Sequence, residues 1–183
     1  MQDWSCRCVV GGVALFIEAG KNIRNKQLLQ EDELLIRIAE DRDIETLARF
    51  NVAQAWESER RKLEPAVVTR GLQTLFKNPQ HGFYTVAEMA GQLVGCIMIT
   101  YEWSDWRCGL FWWIQSVYVD SEFRRQGIFR QLYEFLKEKA SREPNVCGFR
   151  LYVEHSNLAG QSTYTGVGME ETSYKFYEES FES

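Results

Sequence analysis

The chain has little with which to hold a metal ion. It contains two histidines, and its five cysteines (Cys6, Cys8, Cys96, Cys108 and Cys147) include no C-x-x-C pair, so no zinc framework is spelled out and no metal is expected. An odd number of cysteines without framework spacing reads instead as reduced thiols in the cytoplasm. On that reading Cys96, Cys108 and Cys147 serve as small core residues. Long apolar runs are missing too. The stretch from Val9 to Ile17 is too short to span a bilayer, Arg7 is the only basic residue before it, and no small-residue cleavage site follows directly. An excess of positive charge is also absent. With a net charge of -5 the chain is poorly suited to nucleic acid or to an anionic membrane surface, although a local basic pocket or a cationic substrate stays compatible with it. Two nucleotide-binding signatures fail as well. G-x-x-x-x-G-K-[ST] does not occur, and "GVGMEE" at Gly166 lacks the third glycine of a dinucleotide fingerprint and precedes a strand pattern.

What is present is the composition of a soluble globular domain. Of the 183 residues, 45% are hydrophobic and 26% charged, enough to bury one sizeable core. Residues 1–33 read as an N-terminal extension, and residues 34–183 as one domain. Leu34 to Glu40 reads as a first strand. A helix follows, with Asp41 or Asp43 as its N-cap and Ile44, Leu47 and Ala48 at helical spacing. A second helix is predicted from Ala66 to Phe76, directly after Pro65. Phe83 to Ala87 and Leu93 to Tyr101 form a hairpin that turns at "EMAGQ". Gly109 to Val119, "GLFWWIQSVYV", is almost continuously apolar, as a central strand covered on both faces would be. Ile128, Leu132, Phe135 and Leu136 mark one face of a helix that ends near Arg142. Phe149 to Glu154 reads as a strand, "SNLAGQSTYTGVG" as a short helix stopped at Gly166 or Gly168, and "TSYKFYEE" as a last strand. The order β-α-α-β-β-β-α-β-α-β predicts an α/β fold, a mixed sheet with helices on its faces.

The chemistry concentrates where the Gly109–Val119 strand hands over to its helix through "DSEFRRQGIF". A helix N-terminus offers unsatisfied N–H groups and the positive end of the helix dipole, and phosphate binds there readily. Gly127 lets backbone approach the anion, and Arg124, Arg125 and Arg130 add charge-assisted donors. A solvated basic turn is the plain alternative.

At this point the sequence resembles the GNAT superfamily of N-acetyltransferases, whose pyrophosphate loop is [QR]-x-x-G-x-[GA]. Arg124, Gly127 and the flanking "VYVDSEFRRQGI" are similar to it, and Asn157, Tyr164, Gly168 and Met169 resemble, in register, the family's N-x-x-A-x-x-x-Y-x-x-x-G-[FM]. The likeness runs over roughly residues 34 to 178. Two residues depart from it: Phe129 stands where the family has Gly or Ala, and Gly160 where it has Ala. The resemblance implies a GNAT acyl-CoA N-acyltransferase fold and transfer of acetyl from acetyl-CoA, as cosubstrate, to the primary amine of a small molecule or peptide by direct attack. It implies that the backbone of Val117, Tyr118 and Val119 pairs with the pantetheine arm. The amides of Arg125, Gln126, Gly127, Ile128, Phe129 and Arg130 would hold the pyrophosphate. Asn157 would bond the arm from the other side, and Tyr164 would lie near the sulfur and protonate the leaving thiolate. A non-catalytic CoA-binding or regulatory module with the same fold is the alternative.

Direct transfer needs oxyanion donors and a proton acceptor but no cysteine nucleophile. Candidate bases are Glu102 and Asp105, expected in the loop between the third and fourth strands, and Glu154 and His155 at the end of the next strand. Glu102 is taken as the catalytic carboxylate. Trp103, Trp106, Trp112 and Trp113 crowd the same region, as core and hairpin packing, as an aromatic wall for an amine, or as the contact of a homodimer.

Overall fold

The computed structural model describes residues 33–181. The extension read at residues 1–33, with Cys6 and Cys8, lies outside the described residues but for Glu33. Five strands make one sheet in the order β1-β2-β3-β4-β5: β1 Leu35–Ile38, β2 Phe83–Met89, β3 Gln92–Ser104, β4 Gly109–Val119 and β5 Val146–Arg150. Pairing is antiparallel except between β4 and β5, which run parallel. Among the described residues four α-helices flank it: α1 Ile44–Glu59, α2 Pro65–Lys77, α3 Ile128–Ser141 and α4 Leu158–Thr165.

The alternation of side chains across the sheet builds two cores. Ile97, Ile99, Trp112 and Ile114 meet Ile128, Leu132 and Leu136 of α3 on one face. Tyr84, Val86 and Cys96 meet Leu47 and Phe50 of α1 and Leu72 and Leu75 of α2 on the other. The β2–β3 hairpin turns on Ala90 (φ 51°) and Gly91 (φ 75°), both left-handed, as a two-residue type I′ turn demands. Pro65 opens α2 at a position where its missing N–H costs nothing.

Several expectations need correction. The strand placed at Phe149–Glu154 runs instead from Val146 to Arg150, and the segment read as a last strand, "TSYKFYEE", forms none. Its alternating pattern suited an edge strand, but it pairs with no strand here, and Tyr174 and Tyr177 are exposed. Cys96 is buried as expected, and burial pushes its thiol up to about 12, which leaves it inert. Cys108 and Cys147 are exposed and not in the core, the first in the β3–β4 turn and the second on the outermost strand. β4 is fully covered only in its first half, where Phe111, Trp112 and Ile114 are buried; from Gln115 onward it is half-buried.

Asp43 precedes α1, yet its carboxylate caps no helical N–H. It takes both guanidinium nitrogens of Arg37 (2.7 and 2.9 Å) and the N–H of Glu40 (2.7 Å), while Arg37 also reaches Glu88 on β2. Burial pushes the Asp43 carboxyl up, but the hydrogen bonds from Arg37 and Glu40, with the Arg37 charge, outweigh it and hold the group below its ordinary range. A carboxyl depressed in the folded state stabilises fully above its unfolded pKa and loses that contribution as pH falls through the folded value. Asp43→Asn is therefore expected to destabilise the fold by about 3 kcal/mol at pH 7, as breaking a largely buried pair does. Urea denaturation of both proteins from pH 7 down to pH ~2 checks this; the gap should hold above the carboxylate reference near ~3.9 and narrow below it.

Candidate functional site

The site begins where two strands part. β4 and β5 pair from Leu110↔Val146 to Trp113↔Arg150 and no further. β4 nonetheless continues to Val119, still paired on its other side with β3 as far as Gly95↔Val119. The edge of Ile114–Val119 that faces away from β3 therefore carries backbone donors and acceptors without a ladder. In that stretch the β3 register jumps from Ile97↔Val117 to Ile99↔Ile114, one residue more on β4 than on β3. Such a bulge turns two neighbouring residues, Gln115 and Ser116, toward one face and bends the strand.

Below the open edge lies a cleft of about 430 Å³, lined by Val117, Tyr118 and Val119, by Gln54, Glu57 and Ser58 of α1, by Arg124, and by Ser156 and Asn157 ahead of α4. Arg124, in its wall, opens the loop that leads to Gly127. Arg125 (φ 63°) and Gly127 (φ 79°) both adopt left-handed backbone, and Gly127 is the N-cap residue of α3 but has no side chain to cap it. The first bond of α3 runs from Gln131 N–H to Gly127 O, so the N–H groups of Ile128, Phe129 and Arg130 have no acceptor among the described residues. These free amides sit at the positive end of a helix 14 residues long. A Cβ built on Gly127 meets nothing within 4 Å, so the space in front of them is open.

The three arginines have different work. Arg124 donates from Nε to Val119 O (2.8 Å) and pairs with Glu57 (2.6 Å), its guanidinium 5.6 Å from the Tyr118 ring centroid. It ties α1 to the end of β4. Arg130 donates to Gly166 O (3.3 Å) and ties α3 to the end of α4. Arg125 is exposed and has no salt bridge among the described residues, so its charge is free for a ligand. Gln126 donates to Glu122 O (3.3 Å).

Asn157 caps α4 by accepting from Gly160 N–H (2.9 Å). A Cβ at residue 160 would stand 2.8 Å from the Asn157 amide nitrogen, so with glycine there this amide packs close against the first turn of α4. The ring of Phe129 packs against Tyr133 (6.0 Å, stacked) and Tyr164 (5.7 Å, edge-on), and so into the α3–α4 contact. Burial raises the pKa of the Tyr164 phenol, which keeps it protonated at neutral pH.

The structure separates the candidate bases. Glu102 is not in a loop: it lies within β3 opposite Phe111 and is ion-paired with Arg150. Asp105 lies in the β3–β4 turn, where its carboxylate accepts Trp106 N–H. Glu154 and His155 follow β5 and do not belong to it. Hydrogen bonds from the Ser156 hydroxyl and N–H hold the Glu154 carboxyl below its usual range. The tryptophans divide as well. Trp112 is core, Trp113 is half-buried near Tyr152, and Trp103 and Trp106 stand exposed near the hairpin end. Sequence reasoning passed over Gln115, Tyr152 and Glu57. The polar pair Gln115–Ser116 inside an otherwise apolar strand was the available signal for the bulge.

An open strand edge beside free amides at a helix start suits an extended ligand with an anionic end, and comparison with known proteins shows which family carries it. The model of the acetyltransferase (GNAT) family matches residues 37–169. The chain belongs to that family. Among solved structures, it is similar to a possible acetyltransferase from Clostridium difficile 630, at 42% identity over 82% of this chain and 99% of that one, with a TM-score of 0.77. A ribosomal-protein-alanine N-acetyltransferase from Brucella melitensis biovar Abortus 2308 shares the fold at 18% identity, covering 82% of this chain and 100% of that one, with a TM-score of 0.67. So does an aminoglycoside N-acetyltransferase in complex with CoA, at 14% identity over 81% and 95% of the two chains, with a TM-score of 0.68. No curated protein matches the chain. Among the described residues, no helix is long and apolar enough to cross a membrane, and no group of three His, Cys, Asp or Glu side chains could hold a metal ion.

Gly127→Glu places a carboxylate at the mouth of the free amides. Affinity for CoA is expected to fall by more than about tenfold, since like charges set together cost several kcal/mol. The left-handed backbone should cost only about 1 kcal/mol of stability. Calorimetric titration alongside a melting curve reads both; unchanged CoA affinity in a folded variant would remove the phosphate role from this loop.

Proposed function

We propose that the protein is an N-acetyltransferase that moves acetyl from acetyl-CoA to a primary amine by direct attack. The observation that carries this reading is the closeness of two features: the unladdered edge of β4 lines the cleft, and the loop that starts at Arg124 in the cleft wall leads four residues on to the free amides at the start of α3. A pantetheine arm is an amide chain, and an open strand edge is its natural partner. A pyrophosphate suits the α3 N-terminus and the charge of Arg125. Asn157 closes the arm from the α4 side.

The chemistry then follows from where the chain's groups stand. The amine nitrogen attacks the thioester carbonyl carbon, and the β4 backbone N–H groups near the bulge stabilise the oxyanion. As the C–S bond breaks, the Tyr164 phenol gives its proton to the thiolate sulfur. The amine proton passes through water to Glu102, whose carboxylate keeps a second oxygen for it while paired with Arg150. By the register, Glu102 is the only carboxylate that β3, β4 and β5 turn to the α1 face, ~7 Å along β3 from Thr100. The acceptor is a small-molecule or peptide amine, and no metal takes part.

Tyr164→Phe keeps the ring against Phe129 and deletes the hydroxyl. The expected result is a fall in kcat of ~10²-fold with acetyl-CoA affinity preserved, the lower range for a positioned general acid. Steady-state kinetics with a fixed amine decides it; a kcat near that of the parent makes Tyr164 a packing residue. CoA should also raise the melting temperature of the parent protein, because a ligand of the native state stabilises it. CoA binding without acetyl transfer to any amine would favour a non-catalytic CoA-binding module.

A further inference from the structure

The two faces of the sheet are unequal at the point where β4 leaves β5. On one face α3 covers Trp112 and Ile114. On the other, α1 and α2 cover Tyr84, Val86, Cys96, Met98 and Tyr118 and go no further along β3 and β4. Beyond them, alternation and the bulge turn Thr100, Trp113 and Gln115 toward that uncovered side, and Tyr152, past the end of β5, reaches Gln115 there with its hydroxyl. An amine reaching a thioester on the open β4 edge has to come from there.

The polar groups at that place are already oriented. Gln115 Nε2 donates to Thr100 Oγ1 (3.1 Å), and Gln115 Oε1 accepts from the Tyr152 hydroxyl (3.2 Å). Both ends of the amide are thereby fixed, and its oxygen has a second lone pair for an incoming N–H. The rest of the place is aromatic. Trp113 lies 6.1 Å from Tyr152, and Tyr152 lies 5.2 Å from Phe176, with successive rings tilted by 49° and 31° into a curved wall. Tyr152 and Phe176 are more than half exposed, 53% and 63%. The Trp113 indole N–H is buried without a partner in the described structure. The one carboxylate of that strand face, Glu102, is neutralised by Arg150, whose guanidinium lies 3.7 Å over the Phe111 ring centroid.

We propose that Gln115, Tyr152 and Trp113 form the acceptor subsite, and that it selects a primary amine carried on a flat or apolar body without a second cationic centre. The inference rests on the acetyltransferase reading above and names its substrate class. Gln115 Oε1 takes an N–H of the amine and aims its lone pair at the carbonyl carbon. The aromatic wall takes the body. A polyamine or an aminoglycoside finds no uncompensated carboxylate on these strands for its further ammonium groups, and pays their desolvation against aromatic rings alone.

The test uses the full chain, acetyl-CoA and four acceptors: 2-phenylethylamine, tryptamine, spermidine and kanamycin. Thiol release and product mass give kcat/KM, and calorimetry gives the acetyl-CoA affinity of each variant. The two aromatic monoamines should exceed the two polycations by at least about tenfold in kcat/KM, the discrimination one or two pocket groups supply. Gln115→Leu and Tyr152→Ala should each lower kcat/KM for the monoamines by about tenfold while acetyl-CoA affinity stays within about twofold, the loss of one oriented hydrogen bond or of the wall. Tyr152→Phe keeps the wall and unfixes Gln115, so its loss should be smaller than that of Tyr152→Ala. Preference for the polycations, or failure to acetylate either monoamine by a protein that binds acetyl-CoA, overturns the inference and leaves the acetyltransferase reading standing. Variants that lose acetyl-CoA affinity and acceptor kcat/KM in step also overturn it, because Gln115 and Tyr152 would then only hold two strands together. A parent protein that does not bind acetyl-CoA at all overturns both.

Discussion

Everything at this site depends on β4 and β5 being held together at one end and apart at the other. The closed end is made by small residues. A Cβ on Gly109 would stand 2.8 Å from Asn145 O, and one on Gly148 would stand 3.0 Å from the Phe111 ring. Side chains at either place would push the strands apart where Leu110 N–H now reaches Asn145 O at 2.6 Å. The open end is made by the bulge at Gln115–Ser116, which bends β4 while β3 keeps hold of its other edge. A straight β4 would pair along its whole length and leave no backbone for a ligand. The free edge is thus a consequence of where glycine and the extra residue fall, and costs the fold unpaired backbone groups that a bound chain can satisfy.

The electrostatics are local for the same reason. The chain as a whole carries a net charge of -5. Yet the loop ahead of α3 combines amides and an Arg125 charge that are unpaired among the described residues with the helix dipole. Arg124 does not add its full charge, because Glu57 takes it up. Its role is mechanical as much as electrostatic: with Tyr118, whose hydroxyl lies 3.4 Å from Glu57, it clips α1 to the last turn of the sheet edge and shapes one wall of the cleft. An exposed pair of this kind contributes little to stability, so its value lies in where it sets α1.

The features legible in the sequence were those with a strong local cause. α2 and α3 were readable because Pro65 fixes a start and because Ile128, Leu132 and Leu136 repeat at helical spacing. The β2–β3 hairpin was readable from its turn. The GNAT resemblance was carried by residues whose spacing is set by one strand, one loop and one helix. What could not be read was long-range. Whether "TSYKFYEE" becomes a strand depends on finding an edge to pair with, and alternation alone does not supply one. Glu102 looked like a loop residue because β3 extends past the end of β2, whose pairing stops at Phe83↔Ile99, so the strand's last residues have β4 alone as a neighbour. Gln115 was passed over for a different reason. A polar residue in an apolar strand has no stated role until its hydrogen-bond partners, Thr100 and Tyr152, arrive from two other segments.

Phe129 shows how a departure from a motif can be absorbed. In a [QR]-x-x-G-x-[GA] loop the last position needs a small residue only if its side chain points at the ligand. Here residue 129 lies in the first turn of α3, where side chains that lean toward the helix N-terminus can also turn sideways to a neighbouring helix. The phenyl ring does so, stacking on Tyr133 one turn on and meeting Tyr164 edge-on. Its backbone N–H still has no acceptor among the described residues. The ring also excludes water from one side of the Tyr164 phenol, and exclusion of water is what raises that group's pKa. A larger residue at this position therefore leaves the amides at the start of α3 free and adds a contact that fixes α4 against α3. Arg130 reinforces that contact through Gly166 O, so the tyrosine and the amide loop are held in one rigid relation.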